Sequence, residues 1–285
     1  MNTALECIPC LVRQAVEAVE MSATDSVLKE RLLRRLLREI ADADWNVMPV
    51  AISQRLQRLV REETGKADLY RLLKDQMNRI ALELLPALAE TAARHSNRSE
   101  AVVRLAIAGN LLDAGSKSRI ALEDLSQHLD EVWDRPLVGD VAGLFDAADK
   151  ARSILYLADN AGEIVFDRLL IEALPLEKVR VAVRGFPVIN DATLEDARVA
   201  GISELVPVIS NGSDAPGTLL EECSREFRDW YNQADLIISK GQGNYETLSG
   251  SDRPLFFLLT VKCPMIGEDI GAPVGALVVK RGGTW

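Results

Sequence analysis

The stretch ILYLADNAGE at residues 154–163 indicates the fold of the second half of the chain. Its apolar beginning is typical of a buried strand, and the polar and glycine residues that follow are typical of a turn leading into a helix. Similar short apolar runs occur at residues 179–183, 236–239 and 256–261, and segments with helical spacing separate them. Alternating strands and helices predict an α/β fold with a mostly parallel sheet that is covered by helices on both faces.

The first half of the chain has a different pattern. Residues 29–41, KERLLRRLLREIA, place their apolar side chains in one stripe with helical period. A second helical pattern covers residues 68–95, within which Pro86 predicts a kink or a break. We therefore predict a helical region at residues 1–150 and an α/β region at residues 151–285, which pack together without a flexible linker.

Charge and composition limit the classes of function. The 285-residue chain has a formal net charge of -10 and a pI of about 4.9, so its field repels nucleic acids and anionic lipids. The N-terminal sequence does not resemble a secretory signal, and no apolar run is long enough to cross a membrane. We expect a cytoplasmic protein with neither a nucleic-acid nor a membrane partner. A small anionic substrate stays compatible with this charge, because a bound divalent cation inverts the local potential.

Polar residues follow the strands at the points where ligands bind to parallel sheets. Asp159 and Asn160 come directly after the first predicted strand, and Asp191 follows the second. Their oxygens suit Mg²⁺ or Mn²⁺, whereas a chain with two histidines is poorly equipped for a His-rich zinc site. The alternative is that these three side chains merely cap the helices that follow.

A glycine-rich turn follows the third predicted strand. Lys240 precedes Gly241 and Gly243, so backbone N–H groups and an ammonium could together hold a phosphate. The order of a Walker loop, GxxxxGK[ST], is missing. A simple turn is the alternative interpretation, since glycines are common in turns.

Two further motifs lie in the helical half. Asn110 and Asp113 share one face of a predicted helix, next to Gly109, a residue that permits close approach of another segment. Packing around the glycine, with both polar side chains in solvent, is the alternative. Cys7 and Cys10 have CxxC spacing, which is half of a zinc site, and we expect reduced thiols rather than ligands.

Taken together, these motifs resemble the damage-control phosphatase family, which is related to the ARMT-like metal-binding domain. The resemblance covers nearly the whole chain, and the cysteine pair resembles the prokaryotic branch. The motifs are the CxxC pair, GNxxD at 109–113, DNAGE at 159–163, RxxPxxND at 184–191, NGSD at 211–214 and KGQGN at 240–244.

The resemblance implies helices beside a Rossmann-like α/β core and hydrolysis of phosphate monoesters of small metabolites, such as sugar phosphates or damaged phosphometabolites. It also implies a divalent metal (Mn²⁺, Mg²⁺, Co²⁺ or Ni²⁺) held by Asp159, Asn160 and Asp191. We assign Asp159, Asp191 and Lys240 to catalysis. The residues that we assign to the substrate are Asn110, Asp113, Glu163, Arg184, Gly241, Gly243 and Asn244.

Several alternatives stay open at this point. The nucleophile is either a metal-activated water or one of the carboxylates of Asp159 and Asp191. A nucleotide- or S-adenosylmethionine-dependent enzyme would use a similar core, but DNAGE stands where a dinucleotide site has GxGxxG. A noncatalytic sensor of metal or metabolite would use the same residues. The sequence does not determine the oligomeric state.

Overall fold

The structure is a computed structural model of the chain, and it describes residues 1–22, 25–109 and 131–285. In these ranges no helix is long and apolar enough to cross a membrane.

Helices make up the first hundred residues, as the apolar periodicity predicts. The Asp25 carboxylate starts the second helix by accepting hydrogen bonds from the backbone N–H groups of Val27 and Leu28, each at 3.0 Å. The fourth helix continues through Pro86, so of the predicted kink or break, the break does not occur. The five helices described in this region are α1 (Cys7–Met21), α2 (Ser26–Ala41), α3 (Pro49–Thr64), α4 (Arg71–Arg94) and α5 (Arg98–Ala108).

A seven-stranded sheet forms the centre of the part of the chain that the structure describes. The strands lie in the order β1-β7-β6-β5-β2-β3-β4, and β2 to β6 are parallel, whereas β7 runs antiparallel to β6. The predicted mostly parallel sheet is therefore confirmed. The strands are β1 (Leu137–Gly139), β2 (Ile154–Leu157), β3 (Val179–Val183), β4 (Val208–Ser210), β5 (Leu236–Lys240), β6 (Leu255–Thr260) and β7 (Leu277–Gly282).

Helices connect these strands. The α-helices are α6 (Val141–Lys150), α7 (Glu163–Ile171), α8 (Leu194–Val199), α9 (Ile202–Leu205), α10 (Arg225–Gln233), α11 (Gln242–Leu248) and α12 (Pro264–Ile270). Short 3₁₀ turns lie at Glu131–Trp133, Leu176–Lys178 and Leu220–Glu222.

Side chains that alternate along β2 show that both faces of the sheet are covered. Ile154 and Tyr156 pack into one hydrophobic cluster, and Leu155 and Leu157 pack into another on the opposite face. The first cluster also contains buried residues of α4, α5 and α7, so the N-terminal helices share a core with the sheet. Strand β1 belongs to the sheet although it precedes residue 150, and the segment up to that residue is therefore not entirely helical.

The strand order creates one point at which the chain changes direction across the sheet. From β2 the chain proceeds outward to β3 and β4, and it then returns to β5 on the other side of β2. Connections diverge at such a switch point and leave a crevice at the carboxyl ends of the two strands. Ligands of parallel sheets bind at such a crevice, which here lies between β2 and β5.

Candidate active site

Asp159 and Gly241 meet at the crevice between β2 and β5. Asp159 is only 8% exposed, and Gly241 has a φ of +78°. A Cβ atom at position 241 would lie 1.9 Å from Oδ2 of Asp159. Glycine is therefore required here both for the backbone conformation and for the space that the carboxylate occupies.

Backbone hydrogen bonds join the loops after β2 and β3. Asn160 and Asp191 form an isolated antiparallel bridge. The N–H of Ala161 donates to the carbonyl of Asn190 at 2.8 Å, and the N–H of Ala192 donates to the carbonyl of Asp159 at 2.8 Å. The oxygen donors expected from two separate strand exits consequently lie side by side.

The loop after β3 contains a residue with a strained backbone conformation. Ile189 has a φ of +44°, a conformation that is unfavourable for a β-branched residue. Such strain, of the order of 1–3 kcal/mol, persists where the surrounding contacts impose it, and it concentrates at functional sites. Here the strained residue directly precedes Asn190 and Asp191.

Helix capping does not account for the three polar residues. The residue at the N-cap of α7 is Gly162, which makes no side-chain cap. The residue that caps α8 is Thr193, which forms a reciprocal capping box with Asp196. Asp159, Asn160 and Asp191 are thus held in buried positions for another reason.

Arg184 places its guanidinium between the two carboxylates. Its Nε donates to Oδ2 of Asp191 at 2.6 Å, and its Nη2 lies 3.8 Å from Oδ1 of Asp159. The side chain is 3% exposed. Asn244 accepts hydrogen bonds through Oδ1 from both terminal nitrogens of Arg184 at 3.2 Å, and it donates through Nδ2 to the carbonyl of Lys240 at 2.8 Å. Asn244 therefore fixes Arg184 relative to β5.

Lys240 lies on the interior side of the group formed by Asp159, Asp191 and Arg184. Its Nζ donates to the carbonyl of Ala106 at 2.8 Å, to Oε1 of Glu163 at 2.7 Å and to Oδ1 of Asp167 at 2.5 Å. The side chain is fully buried, with 0% exposure. All three protons of the ammonium are thus engaged with the protein, away from the outer edge of the crevice.

Asn160 connects this interior group to Asp159. Its Nδ2 donates to Oδ2 of Asp159 at 2.9 Å and to Oε2 of Glu163 at 3.0 Å. Lys240, Glu163, Asn160 and Asp159 consequently form a continuous buried chain of polar contacts. Such a network fixes the orientation of each member, since each side chain is held from two sides.

Negative charge is in excess at this site. The four carboxylates of Asp159, Glu163, Asp167 and Asp191 surround two cationic side chains, those of Arg184 and Lys240. Burial, Glu163 and Asp191 raise the pKa of Asp159 well above its usual value, against the opposing charge of Arg184. Burial likewise raises the pKa of Asp167 to about 6, although Lys240 opposes the shift.

The donor set fits a hard divalent cation. Two carboxylates and one amide oxygen are ligands that Mg²⁺ and Mn²⁺ prefer, and added positive charge would balance the excess of carboxylates. Asp159 and Glu163 engage the Nδ2 of Asn160, so Oδ1 is the atom of this amide that would serve as a ligand. Over the described ranges, no cluster of three or more His, Cys, Asp or Glu side chains is arranged to hold a metal.

Two predicted substrate residues, Asn110 and Asp113, lie outside the described residues. The adjoining Gly109 is described, and a Cβ atom there would lie 2.7 Å from Cα of Glu163. Another segment therefore does approach Gly109 closely, as the sequence suggested, and that segment is the first turn of α7. Gly243 packs similarly, since its Cβ would lie 2.3 Å from the carbonyl oxygen of Pro216.

Sequence reasoning missed three residues around the site. Asp167 lies four positions after Glu163, a spacing that places both carboxylates on one face of α7. Lys262 lies just after β6, so the same inspection of the residues that follow each strand could have identified it. Asn78 of α4 accepts a hydrogen bond from the N–H of Gly162 at 2.7 Å, and no local pattern indicates that contact across 84 residues.

The cysteines do not contribute to this site. All four are free thiols in the structure; Cys7 and Cys223 are buried, and Cys10 is exposed. Burial is the main cause that raises the pKa of the Cys7 thiol. A raised pKa disfavours the thiolate that metal binding and nucleophilic attack require.

Comparison with known proteins places the chain in a family. The model of the damage-control phosphatase ARMT1-like domain matches residues 3–278. A crystal structure of a DUF89 family protein from Pyrococcus horikoshii superposes with a TM-score of 0.88 at 34% identity, with 99% of each chain covered.

Curated relatives agree with this match. An uncharacterized protein of Methanocaldococcus jannaschii is 37% identical, with 97% of this chain and 94% of that protein covered. The damage-control phosphatase of Pyrococcus horikoshii is 34% identical, with 99% and 98% covered, and that of Archaeoglobus fulgidus is 33% identical, with 96% and 97% covered. The motifs, the fold and these matches agree: the chain belongs to the damage-control phosphatase ARMT1-like family.

Proposed function

We propose that this protein is a divalent-metal-dependent phosphatase that hydrolyses a phosphate monoester of a small metabolite. The observation that carries the proposal is the buried group of Asp159, Asn160 and Asp191 at the switch point between β2 and β5, with carboxylates in excess of cations. Relatives named damage-control phosphatases over nearly the whole chain support the phosphatase activity. A small metabolite is a suitable substrate for a site at a topological switch point, where α/β proteins commonly bind small ligands.

Each residue of the site has a separate role in this proposal. Asp159, Asn160 and Asp191 would hold the metal, which would supply positive charge to a phosphoryl oxygen. Arg184 orients the two carboxylates, because its guanidinium hydrogen-bonds to Asp191 and lies 3.8 Å from Asp159. Lys240 acts through Glu163, whose other oxygen fixes Asn160. On this proposal Lys240 is a positioning residue.

Phosphate release from p-nitrophenyl phosphate tests the proposal. We expect turnover with Mn²⁺, Mg²⁺, Co²⁺ or Ni²⁺ and none with EDTA. Asp159→Asn keeps the size of the side chain and should lower kcat by about 100-fold, because a negatively charged metal ligand becomes a neutral amide. Asp229→Asn is the matched control, since Asp229 is exposed on α10 and should leave turnover unchanged.

Two results would contradict the proposal. One is turnover that is insensitive to EDTA, and the other is equal turnover by the Asp159→Asn and Asp229→Asn proteins. If activity is found, a panel of sugar phosphates identifies the substrate. Trapping with hydroxylamine then distinguishes the nucleophiles, because only attack by the carboxylate of Asp159 or Asp191 gives an aspartyl phosphate.

A further inference from the structure

Two loops carry the three proposed metal ligands, and a helix follows each loop. Asp159 and Asn160 precede Gly162, the N-cap of α7. Asp191 precedes Thr193, the N-cap of α8. Because the backbone bridge between Asn160 and Asp191 joins the two loops, the spacing of the ligands depends on how the starts of both helices are held.

A side chain from the helical region lies between these two helix starts. Asn78 of α4 is 1% exposed, and its Oδ1 accepts a hydrogen bond from the N–H of Gly162 at 2.7 Å. Its Nδ2 donates to Oδ1 of Asp196 at 2.9 Å. The other oxygen of Asp196 accepts from the backbone N–H and the hydroxyl of Thr193, at 2.8 and 2.7 Å. One amide thus connects the start of α7 with the capping box of α8.

The directions of these hydrogen bonds require an amide at position 78. Burial favours the neutral form of Asp196, but Lys74, whose Nζ lies 2.8 Å from Oδ2, and Thr193 hold the pKa of this carboxyl below its usual value. Ionised Asp196 can only accept a hydrogen bond, and the N–H of Gly162 can only donate one. The side chain at position 78 must therefore donate on one side and accept on the other, which neither an aspartate nor an apolar residue can do.

We propose that Asn78 is a positioning residue that holds the Asp159 and Asp191 loops at the spacing that a divalent metal requires. The inference rests on the proposed function and adds a residue of the helical region to the site. Gly162 and Thr193 each lie two residues beyond a proposed ligand, so a shift at either one displaces ligand oxygens. The carboxylates of Asp159 and Asp191 repel each other, and the contacts of Asn78 oppose their separation. Replacing residues that orient metal ligands typically lowers metal affinity about 10- to 100-fold.

Titration with Mn²⁺ alone, followed by the electron paramagnetic resonance signal of the unbound ion, measures the metal affinity of each folded variant. Asn78→Asp keeps the acceptor but places a second carboxylate against Asp196, and we expect the Kd for Mn²⁺ to rise by about 10-fold. The double variant Asn78→Asp with Asp196→Asn exchanges the two groups, so that the amide now at 196 can donate to the carboxylate at 78. We expect it to bind Mn²⁺ nearly as tightly as wild type, the non-additivity typical of residues in contact. Asn232→Asp, at an exposed asparagine on α10, is the matched control and should bind as wild type does.

The inference is overturned if Asn78→Asp binds Mn²⁺ as tightly as wild type, even with a lower melting temperature, because that result would show a role in stability alone. It is also overturned if the double variant binds no more tightly than Asn78→Asp. If Asn78→Asp does not fold, Asn78→Ser, which is neutral and too short to reach both partners, replaces it and should show a similar loss.

Turnover of p-nitrophenyl phosphate by wild type is measured separately. Mn²⁺ binding that depends on Asn78, without any turnover, would refute the phosphatase proposal alone. Metal-dependent turnover with equal Mn²⁺ affinities in wild type and Asn78→Asp would refute the inference alone. Absence of Mn²⁺ binding by wild type would refute both.

Discussion

Replacement of Lys240 by methionine is the perturbation for which the structure predicts the largest effect on stability. Lys240 and the carboxylates of Glu163 and Asp167 are each at most 1% exposed. The substitution leaves both carboxylates buried and no longer neutralised by the ammonium. Removing one partner of a buried ion pair costs about 3–5 kcal/mol. For a chain of this size, that loss corresponds to a fall in melting temperature of roughly 6–20 °C.

Urea unfolding followed by circular dichroism measures this loss. Lys150→Met removes an exposed lysine and should stay within about 0.5 kcal/mol of wild type. The double variant Lys240→Met with Asp167→Asn removes one uncompensated charge, while the amide oxygen still accepts from the Tyr156 hydroxyl, a contact of 2.8 Å in wild type. We therefore expect the double variant to be more stable than Lys240→Met alone.

The reasoning would be refuted if Lys240→Met unfolded within about 1 kcal/mol of wild type, since such losses are usual for substitutions outside a buried charge network. Equal stability of the single and double variants would also refute it. In that case Asp167 would not be the carboxylate that depends on Lys240.

Two further predictions concern pH and backbone space. The pKa of Asp167, about 6 in the folded state, exceeds its unfolded value near 3.9, so wild-type stability falls as pH rises from about 4 to 6. The stability of Asp167→Asn relative to wild type should therefore rise by about 3 kcal/mol across that window, and a constant difference in urea unfolding would contradict this. Gly241→Ala and Gly271→Ala both place alanine at positive φ, but only at 241 does the new Cβ meet the Asp159 carboxylate. Gly271→Ala should lose about 1–2 kcal/mol of stability and keep its activity. Gly241→Ala should lose more stability and also activity, so equal activities would contradict the role of Gly241.

Local patterns were sufficient to predict most of the secondary structure. Buried parallel strands need continuous apolar runs, and connecting helices need an apolar stripe, so both are visible in short windows of sequence. Strand β1 was missed because it is only three residues long and partly exposed, and its place is set by pairing with β7, about 140 residues further along the chain. Pro86 does not end α4, because residues on both sides of it in the helix pack into the hydrophobic core.

The sequence by itself determined which chemical groups occur at the strand exits: carboxylates after β2 and β3, and a lysine with glycines after β5. It determined this because each strand and its following turn are contiguous in the chain. Only the tertiary structure decided where each charge points. Lys240 turns inward because Glu163 and Asp167, on another element, provide buried partners for its ammonium. Contacts between distant segments set the direction of a long side chain, and no local pattern encodes them.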